Sequence, residues 1–218
     1  AKNPQPADEE IESAMQGMVE VAGCLFESNG GACLAGGAFV SAPNAVVRDC
    51  EFIGNLGFNP SEGVQDAGGL RVSGVSPSTP ALVVRCRFIG NTGERGGGVN
   101  AANAEVINCE LIGNSAVNID MDNEFPFGNG GRGGGVFAAS DAVITNCIIS
   151  GCTAVMAGGG IFINPSVTIA GCTVVACDAP ASDGIGVESV DGEVLIANCV
   201  LWGNGAGTQA DQVSWPAA

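Results

Sequence analysis

Val47-Arg48-Asp49-Cys50-Glu51-Phe52-Ile53-Gly54-Asn55 is one copy of a stretch that recurs along the whole chain. It returns as Val83-Val84-Arg85-Cys86-Arg87-Phe88-Ile89-Gly90-Asn91 and as Val106-Ile107-Asn108-Cys109-Glu110-Leu111-Ile112-Gly113-Asn114. Anchored on the cysteine, it occurs at Cys24, Cys50, Cys86, Cys109, Cys147, Cys172 and Cys199, at spacings of 26, 36, 23, 38, 25 and 27 residues. A period of this size is the signature of a solenoid, in which each repeat stacks on its neighbours. The two long intervals carry their surplus at the same place, after the motif's Asn, over residues 56–67 and 115–132. Insertions at one point of a repeat become loops on one face.

The columns define a coil. Three residues before the cysteine stand Val21, Val47, Val83, Val106, Ile144, Ile169 and Ile196, all β-branched. Two after it stand Phe26, Phe52, Phe88, Leu111, Ile149, Val174 and Leu201, and five after it Asn29, Asn55, Asn91, Asn114, Cys152, Cys177 and Asn204. Side chains alternate along a strand, so the cysteine and its +2 neighbour share a face, whereas the −3 column has the wrong parity. Both columns face one core only if the chain bends between them. The residue before the cysteine is Gly23, Asp49, Asn108, Asn146, Gly171 or Asn198, types that tolerate a left-handed bend, with Arg85 as the exception.

A third strand follows a pair of glycines: Gly36-Gly37-Ala38-Phe39-Val40, Gly68-Gly69-Leu70-Arg71-Val72, Gly97-Gly98-Val99-Asn100-Ala101, Gly134-Gly135-Val136-Phe137-Ala138 and Gly159-Gly160-Ile161-Phe162-Ile163, with a degenerate copy at Asp183-Gly184-Ile185-Gly186-Val187. The first and third residues after the glycines are apolar and point inward. Three strands per coil, stacked, make an all-β fold: a single three-sheet parallel β-helix of about seven coils over residues 21–218, right-handed by the general rule for parallel crossovers.

Residues 1–20 do not fit the repeat. Pro4 and Pro6 mark an extended lead-in, and Ile11, Met15, Met18 and Val19 recur at helical spacing behind Asp8-Glu9-Glu10, which predicts a short amphipathic helix capping the stack. At the other end, residues Val213 to Trp215 suit one last strand, after which no helical pattern follows, so the C-terminal coil is expected to be open.

The pairing of Gly36-Gly37-Ala38-Phe39 with Phe26-Glu27-Ser28-Asn29, Phe52-Ile53-Gly54-Asn55 and Phe88-Ile89-Gly90-Asn91 resembles the repeats of the polymorphic outer-membrane protein passengers of bacteria, and the wider set of right-handed β-helix proteins of bacterial envelopes. The resemblance spans about residues 21–204. It implies the β-helix fold, and a function class in which adhesins, structural proteins and enzymes all occur.

Composition narrows the class. The net charge is −16, mainly because Lys and Arg together number only 7 against 23 acids. Such a surface repels phosphate backbones and anionic membranes, which argues against nucleic-acid binding and membrane association. No apolar run is long enough to span a bilayer as a helix. The start, Ala1-Lys2-Asn3-Pro4, is not a signal peptide, and the chain reads as a mature secreted or cell-surface form. His is absent, which removes imidazole catalysis and ligation.

The residues that could carry chemistry are few. The anchor cysteines read first as an internal ladder of small, free thiols. Cys147, Cys152, Cys172 and Cys177 form C-x4-C pairs, a poor match to zinc spacing. Cys152 and Cys177 both replace the column's Asn on adjacent coils and are the disulfide candidate, the alternative being free thiols. The Asn column reads as a structural amide ladder that the two cysteines interrupt. Asp120, Asp122 and Glu124 alternate in the longer insertion and form the candidate for a weak Ca²⁺ site. Phe137 and Phe162 are expected to face outward beside Phe125 and Phe127 of that insertion, an aromatic patch for another chain or a glycan, unless the loop covers its own rings. The outward positions Phe39, Arg71, Asn100, Phe137, Phe162 and Gly186 include no carboxylate pair, and Arg71 flanked by Asp66 reads as a surface ion pair. The expectation is therefore a non-enzymatic secreted or envelope structural protein without a cofactor. It would self-associate head to tail, with Val213 and Trp215 at the open end. A glycan- or host-binding adhesin is the first rival, and a carbohydrate-active enzyme the second.

Overall fold

A computed structural model describes residues 19–31, 34–57, 67–117, 130–180, 184–187, 192–205 and 212–214. All regular structure among them is β, and the sheets are built from parallel pairings between successive coils. The helix expected within residues 1–20 lies outside the described residues, except that Glu20 already opens the first strand, Glu20–Ala22.

Each coil runs through the columns in order. The −3 column lies in the first sheet, whose seven strands run from Glu20–Ala22 to Val194–Ala197. The +2 column lies in the second, from Leu25–Glu27 to Val200–Trp202. The glycine-led strands form another seven-stranded sheet, from Ala38–Ser41 to Val213–Ser214. The register sets like on like: Val47 beside Val83, Phe52 beside Phe88, Leu70 beside Val99. Among the described residues the β-helix has seven coils, as the columns predict.

It has four sheets rather than three. Between the second and the glycine-led sheets runs a narrow one of five two-residue strands: Gly30–Gly31, Leu56–Gly57, Thr92–Gly93, Ser115–Ala116 and Thr153–Ala154. A two-residue strand has no periodicity to read, which is why the columns do not show it. This sheet also shortens the insertions, because 56–57 and 115–116 are strand. Ala67 then pairs with Ala35, and Arg132 with Arg95 and Ala157.

Left-handed corners recur in each coil, one of them before the anchor cysteine and one before the Asn column. The residue before every anchor cysteine has positive φ, from Asn146 at 52° to Gly171 at 65°, and Arg85 conforms at 53°. Arg85 is held there by Asp49, the same corner residue one coil back, through a fork of Nε to Oδ1 at 2.7 Å and Nη2 to Oδ2 at 2.8 Å. The second corner precedes the Asn column, where Ser28, Gly54, Gly90, Gly113, Gly151, Ala176 and Gly203 all have φ between 52° and 61°. The Gly-Asn dipeptide of the motif carries that signal in the sequence.

The inward columns form one continuous core. Val47, Val83, Val106, Ile144 and Ile169 are fully buried, as are Phe52, Phe88, Leu111, Ile149 and Val174. Stacking in register places the Phe26, Phe52 and Phe88 rings parallel, with centroids 4.7 and 4.8 Å apart, close to the rung spacing of roughly 4.8 Å. Each such side chain stabilises the fold by about 2 kcal/mol through its removal from water.

Candidate functional site: corner ladders, glycine-led face and end coils

The cysteine and asparagine corners are built by one rule. Asn55 Oδ1 accepts from Asn29 N at 3.0 Å, and Asn55 Nδ2 donates to Phe26 O, three residues before Asn29, at 2.9 Å. The next coils repeat it, with Asn91 Nδ2 to Phe52 O at 2.8 Å and Asn114 Nδ2 to Phe88 O at 2.9 Å. At the other corner Cys50 Sγ accepts from Cys24 N at 3.4 Å, and its proton lies between Arg48 O at 3.1 Å and Val21 O, three residues before Cys24, at 3.5 Å. Cys86, Cys109, Cys147 and Cys172 donate to Val47, Val83, Val106 and Ile144 in the same way. A left-handed corner turns one N–H and one C=O away from the sheet ladder. A buried side chain with both a donor and an acceptor satisfies them.

Cys152 and Cys177 interrupt the amide-to-amide bonds but keep the bond to the preceding coil's carbonyl. Cys152 Sγ donates to Leu111 O at 3.5 Å and accepts from Asn114 Nδ2 at 3.9 Å, while Cys177 Sγ donates to Ile149 O at 3.8 Å. Each occupies an Asn position and makes the Asn contacts, more weakly. Both are free thiols, as are the seven described anchors, and only Cys24 among them is exposed. The hydrogen bond to Cys152 and, after it, burial push the Cys177 thiol up from its ordinary value. Burial likewise pushes Cys50 up. At the disulfide candidate Cys152–Cys177 the structure has the alternative, two stacked free thiols bonded to carbonyls. The C-x4-C pairs do not converge on a metal either. Cys147 and Cys172 belong to the first corner, whereas Cys152 and Cys177 belong to the second, beyond the strands Ile148–Ser150 and Thr173–Val175. Among the described residues no group of three or more Cys, Asp or Glu could hold a metal ion. The Ca²⁺ candidates Asp120, Asp122 and Glu124 lie outside the described residues, as do Phe125, Phe127, Trp215 and Asp66.

The glycine-led face corrects the aromatic patch. Phe137 and Phe162 stack at 5.6 Å but are each only 3% exposed. The guanidinium of Arg95 lies 5.1 Å from the centre of Phe137 and that of Arg132 lies 4.9 Å from Phe162. Alternation does turn these rings away from the core, but cations from the segments before the glycines cover them. Phe39 remains open at 48% exposure, and Arg71, one rung along, approaches its ring at 5.6 Å.

The first and last described coils differ from the interior. Their inward residues Val21 and Phe26, and Val194, Ile196, Cys199, Leu201 and Val213, pack on the core yet are only half-buried. Leu25 at 59%, Val200 at 57% and Trp202 at 76% exposure stand in outward columns, where interior Ile148 and Ile112 are also exposed, at 47% and 40%. Val213 forms the expected last strand with Ser214, parallel to Ile185 and Gly186.

At the last coil one position breaks the pattern. In the interior, the second glycine of each pair faces the next coil: a Cβ on Gly37 would stand 2.9 Å from Phe52 Cδ1 and 3.3 Å from Asn55 Nδ2. Gly184 faces Asn204 Nδ2 at 2.9 Å. The position that pairs with Gly184 one coil on is Gln212, whose carbonyl accepts from Ile185 N at 3.0 Å. Its side chain folds back along the ladder. Asn204 Nδ2 donates to Gln212 Oε1 at 2.8 Å, and Gln212 Nε2 donates to Asn204 O at 3.3 Å.

These features define a β-helix solenoid whose corner asparagines and cysteines bond to backbone groups of adjacent coils. Residues 115–214 match the family model described as the right handed beta helix region. With the parallel sheets, that match gives the fold as a right-handed parallel β-helix. No curated protein matches the chain significantly.

Proposed function

We propose that the chain is a non-enzymatic structural protein of a secreted or cell-surface assembly, of the envelope kind that its repeats resemble, and that it associates end to end with further copies of itself. The observation that carries this reading is the correspondence of the two end coils. Val21, Cys24, Phe26 and Asn29 of the first coil occupy the columns of Ile196, Cys199, Leu201 and Asn204 of the last. A second copy placed on the last coil would continue every column, with Phe26 on Leu201 and exposed Leu25 beside exposed Val200. The hydrogen-bonding groups are complementary as well. Asn29 donates through both N and Nδ2 to Asn55, which leaves its Oδ1 as an acceptor, while the N–H of Asn204 has no bond among the described residues. Strand edges with unpaired donors and acceptors are natural templates for another chain. A contact between unlike surfaces that does not close produces a filament.

A glycan-binding role would now rest on Phe39 and Arg71, since Phe137 and Phe162 are covered. The test of the end-to-end reading is sedimentation velocity over a wide concentration range, with negative-stain microscopy at the top of it. The expected result is growth with concentration that is lost in Leu201→Asp and in Phe26→Asp. A strictly monomeric protein at high concentration would overturn it.

A further inference from the structure

We propose that Gln212 is a built-in stop on end-to-end growth. The inference rests on the end-to-end reading and concerns the regulation of that same surface, whose partner is the first coil of a second copy.

Six coils carry glycine at this position: Gly37, Gly69, Gly98, Gly135, Gly160 and Gly184. The reason is steric, because the next coil's +2 side chain and corner amide press against the glycine. The contact partners run Phe52 and Asn55, Phe88 and Asn91, Leu111 and Asn114, Ile149 and Cys152, then Val174 and Cys177. A second copy stacked in register would bring Phe26 and Asn29 to the corresponding place over residue 212. A Cβ there is already too close, and the Gln212 side chain fills the site.

The amide also occupies the bonding positions that the second copy would need. Along the ladder, each Asn Nδ2 donates to the Oδ1 of the next coil: Asn29 to Asn55 and Asn55 to Asn91 at 2.9 Å, and Asn91 to Asn114 at 3.0 Å. Each Asn carbonyl accepts from a backbone N–H of the next coil, as Asn55 O does from Thr92 N at 2.9 Å. Gln212 supplies both functions to Asn204, with Oε1 in the role of the next Asn Oδ1 and Nε2 in the role of the next strand's N–H. A side chain from the same coil thus imitates the coil that would follow. Stacking requires Gln212 to leave, which exchanges two intramolecular bonds for two intermolecular ones and clears the steric block. The device leaves the apolar columns available while opposing unregulated growth.

The experiment compares the full-length chain, Gln212→Gly, Gln212→Ala and the double variant Gln212→Gly with Leu201→Asp by sedimentation velocity. Gln212→Gly is expected to associate at a concentration at least about tenfold lower than the parent, since relief of two bonds of ordinary strength suffices for that shift. Gln212→Ala, which loses the amide but keeps a Cβ, is expected to fall between them. The double variant is expected to be monomeric. Equal association of parent, Gly and Ala variants would overturn the stop and leave end-to-end association standing. No association by any of them at any concentration would overturn the end-to-end reading and the stop with it. Association of the double variant to the same degree as Gln212→Gly would place the contact elsewhere and overturn both.

Discussion

Asn114 and Cys152 stand on adjacent rungs of one corner, and Asn114 Nδ2 donates to Cys152 Sγ at 3.9 Å where an interior Asn would offer an amide oxygen. The thiol then donates to Leu111 O, as an Asn Nδ2 would. A weak donor and acceptor therefore suffice to close a buried corner, provided that they sit at the right place.

Replacement of Cys152 tests this directly. Cys152→Ala removes the thiol donor to Leu111 O and the acceptor for one of the two Asn114 Nδ2 hydrogens, the other staying on Phe88 O, and is expected to cost about 2 kcal/mol. Cys152→Asn restores the column's residue and is expected to be neutral or stabilising. Urea unfolding of the two variants beside the parent provides the comparison, and equal stability of all three would show that the thiol contacts contribute nothing.

The middle of the amide ladder should be more sensitive. Asn91→Ala removes the acceptor for Asn55 N and Nδ2 and the donor to Phe52 O. The expected loss is about 3 kcal/mol, because several buried groups are left unpaired at once. Asn91→Cys is expected to recover part of it, as the chain's own use of Cys152 indicates. Thermal unfolding would rank the three proteins.

Two glycines separate crowding from conformation. A Cβ on Gly135 would stand 2.7 Å from Gly160 O and 2.8 Å from Ile149 Cγ2, both parts of adjacent coils. Gly135→Ala should cost about 1–3 kcal/mol through overpacking. Gly151 has φ 61° with nothing within 4 Å of a Cβ, so Gly151→Ala should cost only about 1 kcal/mol of backbone strain. Gly151→Asn should cost less, since Asn tolerates this region.

Thiol accessibility distinguishes the ladder from a disulfide framework. Cys24 is exposed and Cys199 is half-buried, whereas Cys50, Cys86, Cys109, Cys147, Cys152, Cys172 and Cys177 are buried. A thiol reagent added to the native protein is expected to modify Cys24 first and the buried seven only on unfolding. Failure of Cys152 and Cys177 to react in denaturant without reductant would establish a bridge between them.

Asp49 provides a pH signature at the first corner. Its hydrogen bond to Arg85 is the main cause that draws its carboxyl down to about 2. The folded value lies below the unfolded one of about 3.9, so the ion pair's contribution is complete above that pH and fades as pH falls through about 2. Carbon-13 NMR titration should place the Asp49 midpoint there, and Arg85→Ala should return it toward the ordinary value.

The sequence by itself determined the coil. Residue type at −3, +2 and +5 from each cysteine placed Val47, Phe52 and Asn55 in the core and at the corner, and glycine pairs marked the third strand. These positions are legible because stacking repeats each environment seven times, so one local requirement appears as a column. The left-handed corner before each cysteine was legible for the same reason, with Arg85 the exception, which forks onto Asp49 across the coil. Tertiary structure decided what no column encodes. The narrow sheet is too short to show alternation. Phe137 and Phe162 face away from the core as alternation requires, yet Arg95 and Arg132, from other parts of the coil, bury them. Cys152 and Asn114 are chemically unlike, and only their shared place at a corner reveals one role. Gln212 reads in the sequence as an ordinary polar residue near a last strand. Its position opposite Gly184 and its two bonds to Asn204 exist only once the seventh coil has closed.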